Sequence, residues 1–180
     1  KEGLRSARKE LEILIKEYEM KEEYYAEIME EIEKMIKEIK NTEKLLEIKG
    51  IGILTVSGII AEIGDISRFE SAKQIQKLAG LSLMETSSGK HKGETSITRR
   101  GRKRLRQILF QASMPLVAKN EEFKELHNHY ITRDKNALKK KQSIVAISCK
   151  LIRVVYAILK NGTKYDSGKV KEAIELKKAV

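Results

Sequence analysis

The sequence has 180 residues, 41% hydrophobic and 35% charged, with one Pro, eleven Gly and no Trp. That is enough for one compact domain with an extension, and the scarcity of Pro argues against a loop-rich or all-β fold. The net charge of +11 is uneven: residues 1–47 hold ten Lys/Arg against fourteen Asp/Glu, so the remainder carries +15, an acidic arm on a polyanion-binding body.

Residues 1–42 read as the arm. Leu4, Ala7, Leu11, Leu14, Tyr18, Tyr25, Ile28, Ile32, Met35 and Ile39 alternate three and four apart, and only Lys21 breaks the series. This heptad pattern predicts a coiled-coil helix that would reach roughly 60 Å at about 1.5 Å per residue. So long an apolar seam calls for a partner helix; the alternative is a helix lying along its own domain.

Asn41-Thr42 is the first interruption, followed by "TEKLLEIKGIGILTVSGIIAEIGDISRF". Apolar residues lead into Gly50, Ile51 and Gly52, and a helix is expected from about Leu54 to Ile63, ended by Gly64. The pattern fits a helix-hairpin-helix. Two glycines permit a tight turn, Ile51 plugs the core, and the N–H groups at the next helix start can meet a DNA phosphate without reading sequence. The other reading is an ordinary glycine turn.

Ser71 is placed to cap a short helix, "AKQIQKLAG". Residues 81–97 lack helical period and read as a loop with a short hairpin. Within it Ser87 and Ser88 precede Gly89. A serine becomes a nucleophile only when a base takes its proton and cations stabilise the charged phosphorane; His91 is the nearest base, and Ser-Ser-Gly is also a common loop composition. Lys90, Lys92, Arg99, Arg100, Arg102, Lys103, Arg104 and Arg106 follow, with Glu94 the only acid among them. A helix starting near Thr98 would put Arg99, Lys103 and Arg106 on one face and Arg100 and Arg104 on another, making its head a phosphate-binding surface. It is expected to run to about Ala118, kinked or shortened by Pro115.

A further helix is expected in "NEEFKELHNHYITRD". His127 and His129, two apart, point away from each other on a helix and lack an acidic partner, so no metal site is assigned to this chain. Lys139 to Lys141 precede a last helix, from about Gln142 to Leu159. Its lone Cys149 excludes a disulfide framework and fits a reducing, cytoplasmic setting. No signal peptide is visible, no apolar run reaches membrane-spanning length, and no membrane partner is expected. Residues 167–180 read as a polar tail.

Three blocks, "LLEIKGIGILTVSGIIAEIGDISRFESAKQIQKLAGL", "SSGKHKGETSITRRGRKRLRQILFQAS" and "LHNHYITRDKNALKKKQSIVAISCKLIRVVYAILKNGTKYD", occur in this order. Across residues 43–166 they resemble the carboxy-terminal half of the bridge-RNA-guided insertion-sequence transposases, or recombinases. The Ser-Gly followed by Ile-Thr-x-Arg-Gly carries most of the likeness, and the coiled-coil arm fits the family's layout.

The resemblance implies a serine transposase domain that attacks a DNA phosphodiester and forms a covalent phosphoserine. It implies a structured guide RNA and an amino-terminal RuvC-like domain that binds Mg²⁺. The nucleophile falls at Ser88, with Ser87 the alternate, and the Arg99–Arg106 segment would hold the scissile backbone or the RNA. No strand-borne acidic set suits a RuvC-like site, so that domain is expected outside this sequence, and the piece alone is expected to bind nucleic acid without recombining it. The expected architecture is mainly α: a coiled-coil arm (1–42) that mediates homo-oligomers, and a compact helical domain (43–166) containing a helix-hairpin-helix. The alternative function is a non-catalytic helix-hairpin-helix module that binds DNA or RNA and dimerises through its arm.

Overall fold

The computed structural model describes residues 2–85 and 95–170. It is mainly helical and divides into two compact units, Lys1–Glu38 and Ile39–Val180.

The first unit is one helix, α1 (Glu2–Glu38). Its apolar positions Leu4, Leu11, Leu14, Tyr18, Tyr25, Ile28 and Met35 are all exposed. Ion pairs one turn apart, Arg8–Glu12, Glu17–Lys21 and Glu30–Lys34, lie along it, each contributing about 0.2–0.5 kcal/mol.

The second unit contains α2 (Thr42–Leu46), α3 (Ile53–Ile63), a 3₁₀ turn (Ile66–Arg68), α4 (Ala72–Leu78), strands β1 (Leu83–Glu85) and β2 (Thr95–Ile97), α5 (Lys103–Lys119), α6 (Glu121–Thr132) and α7 (Lys140–Asn161). The helices follow from apolar residues at three- and four-residue spacing, and the stop at Gly64 acts as the sequence predicts. Gly64 and Gly162 end α3 and α7 at φ 70° and 65°, values glycine adopts without a Cβ penalty; Gly162, with ψ 19°, is the left-handed cap. Asn120 caps α6 by accepting from the Phe123 N–H. Ser71 stands at the head of α4, but its hydroxyl makes no capping bond.

Helix α5 is the central one, packing on α3, α6 and α7. Leu105, Leu109 and Leu116 meet Val56 and Ile59 of α3, Phe123 and Leu126 of α6, and Ile147, Leu151 and Val155 of α7 in the shared core, all 1% exposed or less. Burying each such side chain contributes about 1.5–3 kcal/mol. The buried serines inside this core are paired. The Ser113 hydroxyl donates to the Leu109 carbonyl at 2.7 Å and lies in hydrogen-bond reach, 2.9 Å, of the Ser148 hydroxyl. His127 Nδ1 shares a hydrogen bond of 2.8 Å with the buried Ser143 hydroxyl, a structural role that ties α6 to α7.

Two expectations need correction. Helix α5 begins at Lys103, not near Thr98, because residues 98–102 form backbone bonds to the end of α4 instead; its end at Lys119 is close to the expected Ala118, with Pro115 inside the helix. Helix α7 has 22 residues and is apolar enough to cross a membrane by length and composition, yet its Ile147, Leu151, Ile152, Val155 and Ile158 are buried in the body, the mark of a core helix. In the described part of the tail Val170 is 1% exposed, and Lys150 Nζ donates to the Lys169 carbonyl.

Candidate nucleic-acid interface

The glycine turn joins α2 to α3, and its two glycines differ. Gly50 has φ 96°, and a Cβ there would come within 2.8 Å of Leu116 Cα and the Pro115 carbonyl oxygen. It serves packing: the turn presses its backbone onto α5. Gly52, at φ −109°, is exposed, and a Cβ on it would meet nothing within 4 Å. Between them Ile51 is buried, as a plug should be. No side chain caps α3; the Thr55 and Val56 N–H groups donate to the Gly52 carbonyl at 3.0 and 3.1 Å, which leaves the Ile53 and Leu54 N–H groups at the head, beside the open position of Gly52. That is the arrangement a phosphate oxygen can approach.

The basic segment is pinned by a backbone junction. The Thr98 N–H donates to the Ser82 carbonyl at 2.9 Å, Arg99 to Gly80 at 3.1 Å, and Arg102 to Leu78 at 2.7 Å. Gly101 lies so close to α4 that a Cβ would collide with the Leu78 carbonyl oxygen and the Gly80 nitrogen. Arg99 sits at φ 53°, a conformation side chains rarely adopt, held by the bond to Gly80. This junction is why the helix starts late, and Arg99 and Arg100 therefore lie off α5 rather than on its faces.

The cations fall into two groups. Arg106 Nη1 donates to the Ala79 carbonyl at 2.9 Å and the Arg99 carbonyl at 3.3 Å, clamping the junction from the helix side. Arg102 donates to the Glu62 carbonyl and lies 3.9 Å from its carboxylate; Arg104 Nε lies 3.7 Å from the same carboxylate. Glu62, the only charged residue of α3, has a side chain 17% exposed and serves both guanidinium groups. Arg99, Arg100 and Lys103 are exposed and have no side-chain partner among the described residues. They are the ones available to an external phosphate. A lone acid on an apolar helix was the signal for Glu62 that sequence reasoning passed over.

β1 and β2 pair antiparallel, Leu83 with Ile97, Met84 with Ser96 and Glu85 with Thr95, so the expected hairpin is present. Ser87, Ser88, Lys90, His91 and Lys92 lie outside the described residues. A cavity of about 390 Å³ adjoins β2, lined by Leu81, Ile97 and Phe110, with Lys103 and Arg106 of α5 and Val145 of α7. Cys149 lies near by, its Sγ 3.9 Å from the Leu81 carbonyl, and burial pushes its thiol pKa up, so it is not an activated nucleophile. Among the described residues no three His, Cys, Asp or Glu side chains gather to hold a metal ion.

Residues 42–128 match the family model described as "Transposase IS116/IS110/IS902 family". The matched stretch contains the glycine turn, the hairpin and α5. The chain is 35% identical over 125 residues to the pilin gene-inverting protein of Moraxella bovis, covering 68% of this chain and 38% of that protein. It is 27% identical over 154 residues to the transposase for insertion sequence element IS1328 of Yersinia enterocolitica, covering 79% of this chain and 45% of that one. With the transposase for IS1111A of Coxiella burnetii it shares 28% identity over 97 residues, 54% of this chain and 27% of the relative. The chain thus spans less than half the length of each of these relatives.

Proposed function

We propose that this chain, whose residues 42–128 are a transposase-family segment, is the serine-bearing, DNA-handling part of a transposase or recombinase. The observation that carries the reading is the coincidence of that match with the glycine turn and the α5 head, two surfaces offering N–H groups and unpaired cations on one helical body. The relatives' names, a transposase or a gene-inverting protein, support DNA as the substrate.

In this reading Ser88 is the nucleophile and Ser87 its alternate. The serine Oγ attacks a backbone phosphorus and a phosphoserine ester forms. The bond from phosphorus to one deoxyribose oxygen breaks, and that oxygen leaves with the DNA strand. The serine proton passes to a base, for which His91 is the nearest ring in sequence. Arg99, Arg100 and Lys103 stabilise the negative charge that grows on the phosphate oxygens, and the α3 head at Gly52 holds a phosphate farther along, in the manner of a helix-hairpin-helix.

Mg²⁺ belongs, in this proposal, to a RuvC-like domain outside the chain; the described acids do not form a site for it, and no step is routed through the ion. A structured guide RNA and a homo-oligomer formed through the exposed α1 seam complete the proposal. The competing reading, a non-catalytic DNA- or RNA-binding module that dimerises through α1, shares every binding feature and lacks only the ester.

The test is covalent trapping on the full-length enzyme with labelled DNA. Ser88→Ala is expected to abolish the protein–DNA adduct while leaving affinity within about twofold of wild type. An adduct that persists in Ser88→Ala and disappears in Ser87→Ala moves the nucleophile by one residue. An adduct that survives both substitutions together ends the serine mechanism.

A further inference from the structure

The connection from α6 to α7 breaks a rule that helices ordinarily obey. Residues 133–141 contain Arg133, Lys135, Lys139, Lys140 and Lys141 with Asp134 the only acid. Lys140 and Lys141 occupy the first turn of α7, where no acidic residue is present. Cations at a helix start oppose the macrodipole, and neighbouring lysines repel one another, so the arrangement costs stability. No described acid offsets it: Lys135, Lys139, Lys140 and Lys141 are exposed and have no ion-pair partner among the described residues.

The connection is nevertheless a built elbow. The Arg133 guanidinium donates to the Asn136 carbonyl from Nε at 2.8 Å and from Nη2 at 2.6 Å, and lies 5.8 Å from the centre of the Tyr130 ring. The Leu138 N–H donates to the Tyr130 carbonyl at 2.8 Å, and the Lys139 N–H to Gln142 Oε1 at 2.9 Å. Asn136 turns the chain at φ 57°. One cation, Arg133, is spent inside the turn, and four lysines are displayed on a fixed frame. A local rule broken without structural compensation marks a functional surface.

We infer that this elbow is a second contact surface for the phosphate backbone of duplex DNA, separate from the α5 head and beyond the stretch matched by the transposase family model. The inference rests on the nucleic-acid reading above. Lysines are mobile point charges that follow phosphates without reading bases. Single strands are gripped by stacking on exposed aromatic rings; here the Tyr130 ring is 8% exposed and the neighbouring His129 ring is half-buried. The elbow therefore suits a duplex.

The test titrates KCl against binding of a mixed-sequence duplex by the full chain. Replacing the four lysines with glutamine (K135Q/K139Q/K140Q/K141Q) is expected to flatten the log–log salt slope by about 2–4, since each phosphate no longer neutralised removes about 0.9 from it. The melting temperature should stay level or rise. The milder K135Q/K139Q should give about half that change in slope. A control that removes the same charge elsewhere on the body, K73Q/K77Q/K119Q/K124Q, should keep a slope near wild type. An unchanged slope in the elbow variant, or equal flattening in the control, overturns the inference and leaves the functional proposal standing. Flattening seen with an RNA hairpin but not with the duplex overturns the assignment to DNA. A wild-type chain with no salt-dependent binding removes the nucleic-acid reading and this surface with it.

Discussion

The heads of α5 and α7 are both rich in cations, and they use them differently. At the head of α5, Arg106 holds two carbonyls and Arg102 and Arg104 share Glu62. Half of the described positive charge there is engaged in shaping the segment that carries the other half. At the head of α7 only Arg133 is engaged in this way, and the lysines are left over. Counting basic residues therefore overstates the ligand-binding capacity of the first head and, set against the second, misranks the two. What matters is how many cations remain after the fold has taken its share.

The strongest way to break this comparison is to remove the frame under the first head. Gly101→Ala pushes a methyl group into the Leu78 carbonyl and the Gly80 nitrogen, and should lower stability by about 3 kcal/mol, read from urea unfolding. A variant as stable as wild type would mean that the junction is not what positions Arg99 and Arg100. A pair of substitutions sharpens the contrast at the next level. Arg106→Ala, which removes the donor to two carbonyls, should cost about 1–2 kcal/mol. Arg100→Ala should leave stability within about 0.5 kcal/mol and instead flatten the DNA salt slope by about 0.9. Equal effects of the two on both readouts would erase the distinction between clamping and displayed cations. The smallest expected effect is at the shared counter-ion. Glu62→Gln removes the carboxylate from both arginines, but Arg102 keeps its bond to the residue 62 carbonyl; because Arg104 is 81% exposed, stability should fall by less than about 1 kcal/mol. Duplex affinity should rise by about twofold as the Arg104 guanidinium becomes available. Weaker binding in that variant would show that Glu62 orients the arginines for the ligand rather than withholding them.

These contrasts also show what could be read from the chain alone. The α1 helix, the ends of α3 and α7 and the β1–β2 pair are local events, set by periodicity and by residues a few positions apart, and they were legible; the cap at Asn120 is as local but went unread. The late start of α5 was not, because the bonds from residues 98–102 reach back to Leu78, Gly80 and Ser82, and helical period carries no trace of such a pairing. The same holds for Gly50. It reads as a turn residue, and a turn it is, but the neighbours that demand glycine are Leu116 and Pro115, about sixty-five residues later. The division of the arginines depended on Glu62, about forty residues upstream. Of the elbow only Lys139 to Lys141 stood out in the sequence, and the absence of ion-pair partners for its lysines among the described residues of the folded chain gives it weight.

The junction at Gly80 and Gly101 has a mechanical consequence. Ser82 with Thr98, Gly80 with Arg99 and the β1–β2 ladder fasten residues 80–85 to residues 95–99 as one two-stranded piece. Both edges of that piece are tied to the helical body, one through the end of α4 and the other through the start of α5, so a load placed on either strand is shared by two helices.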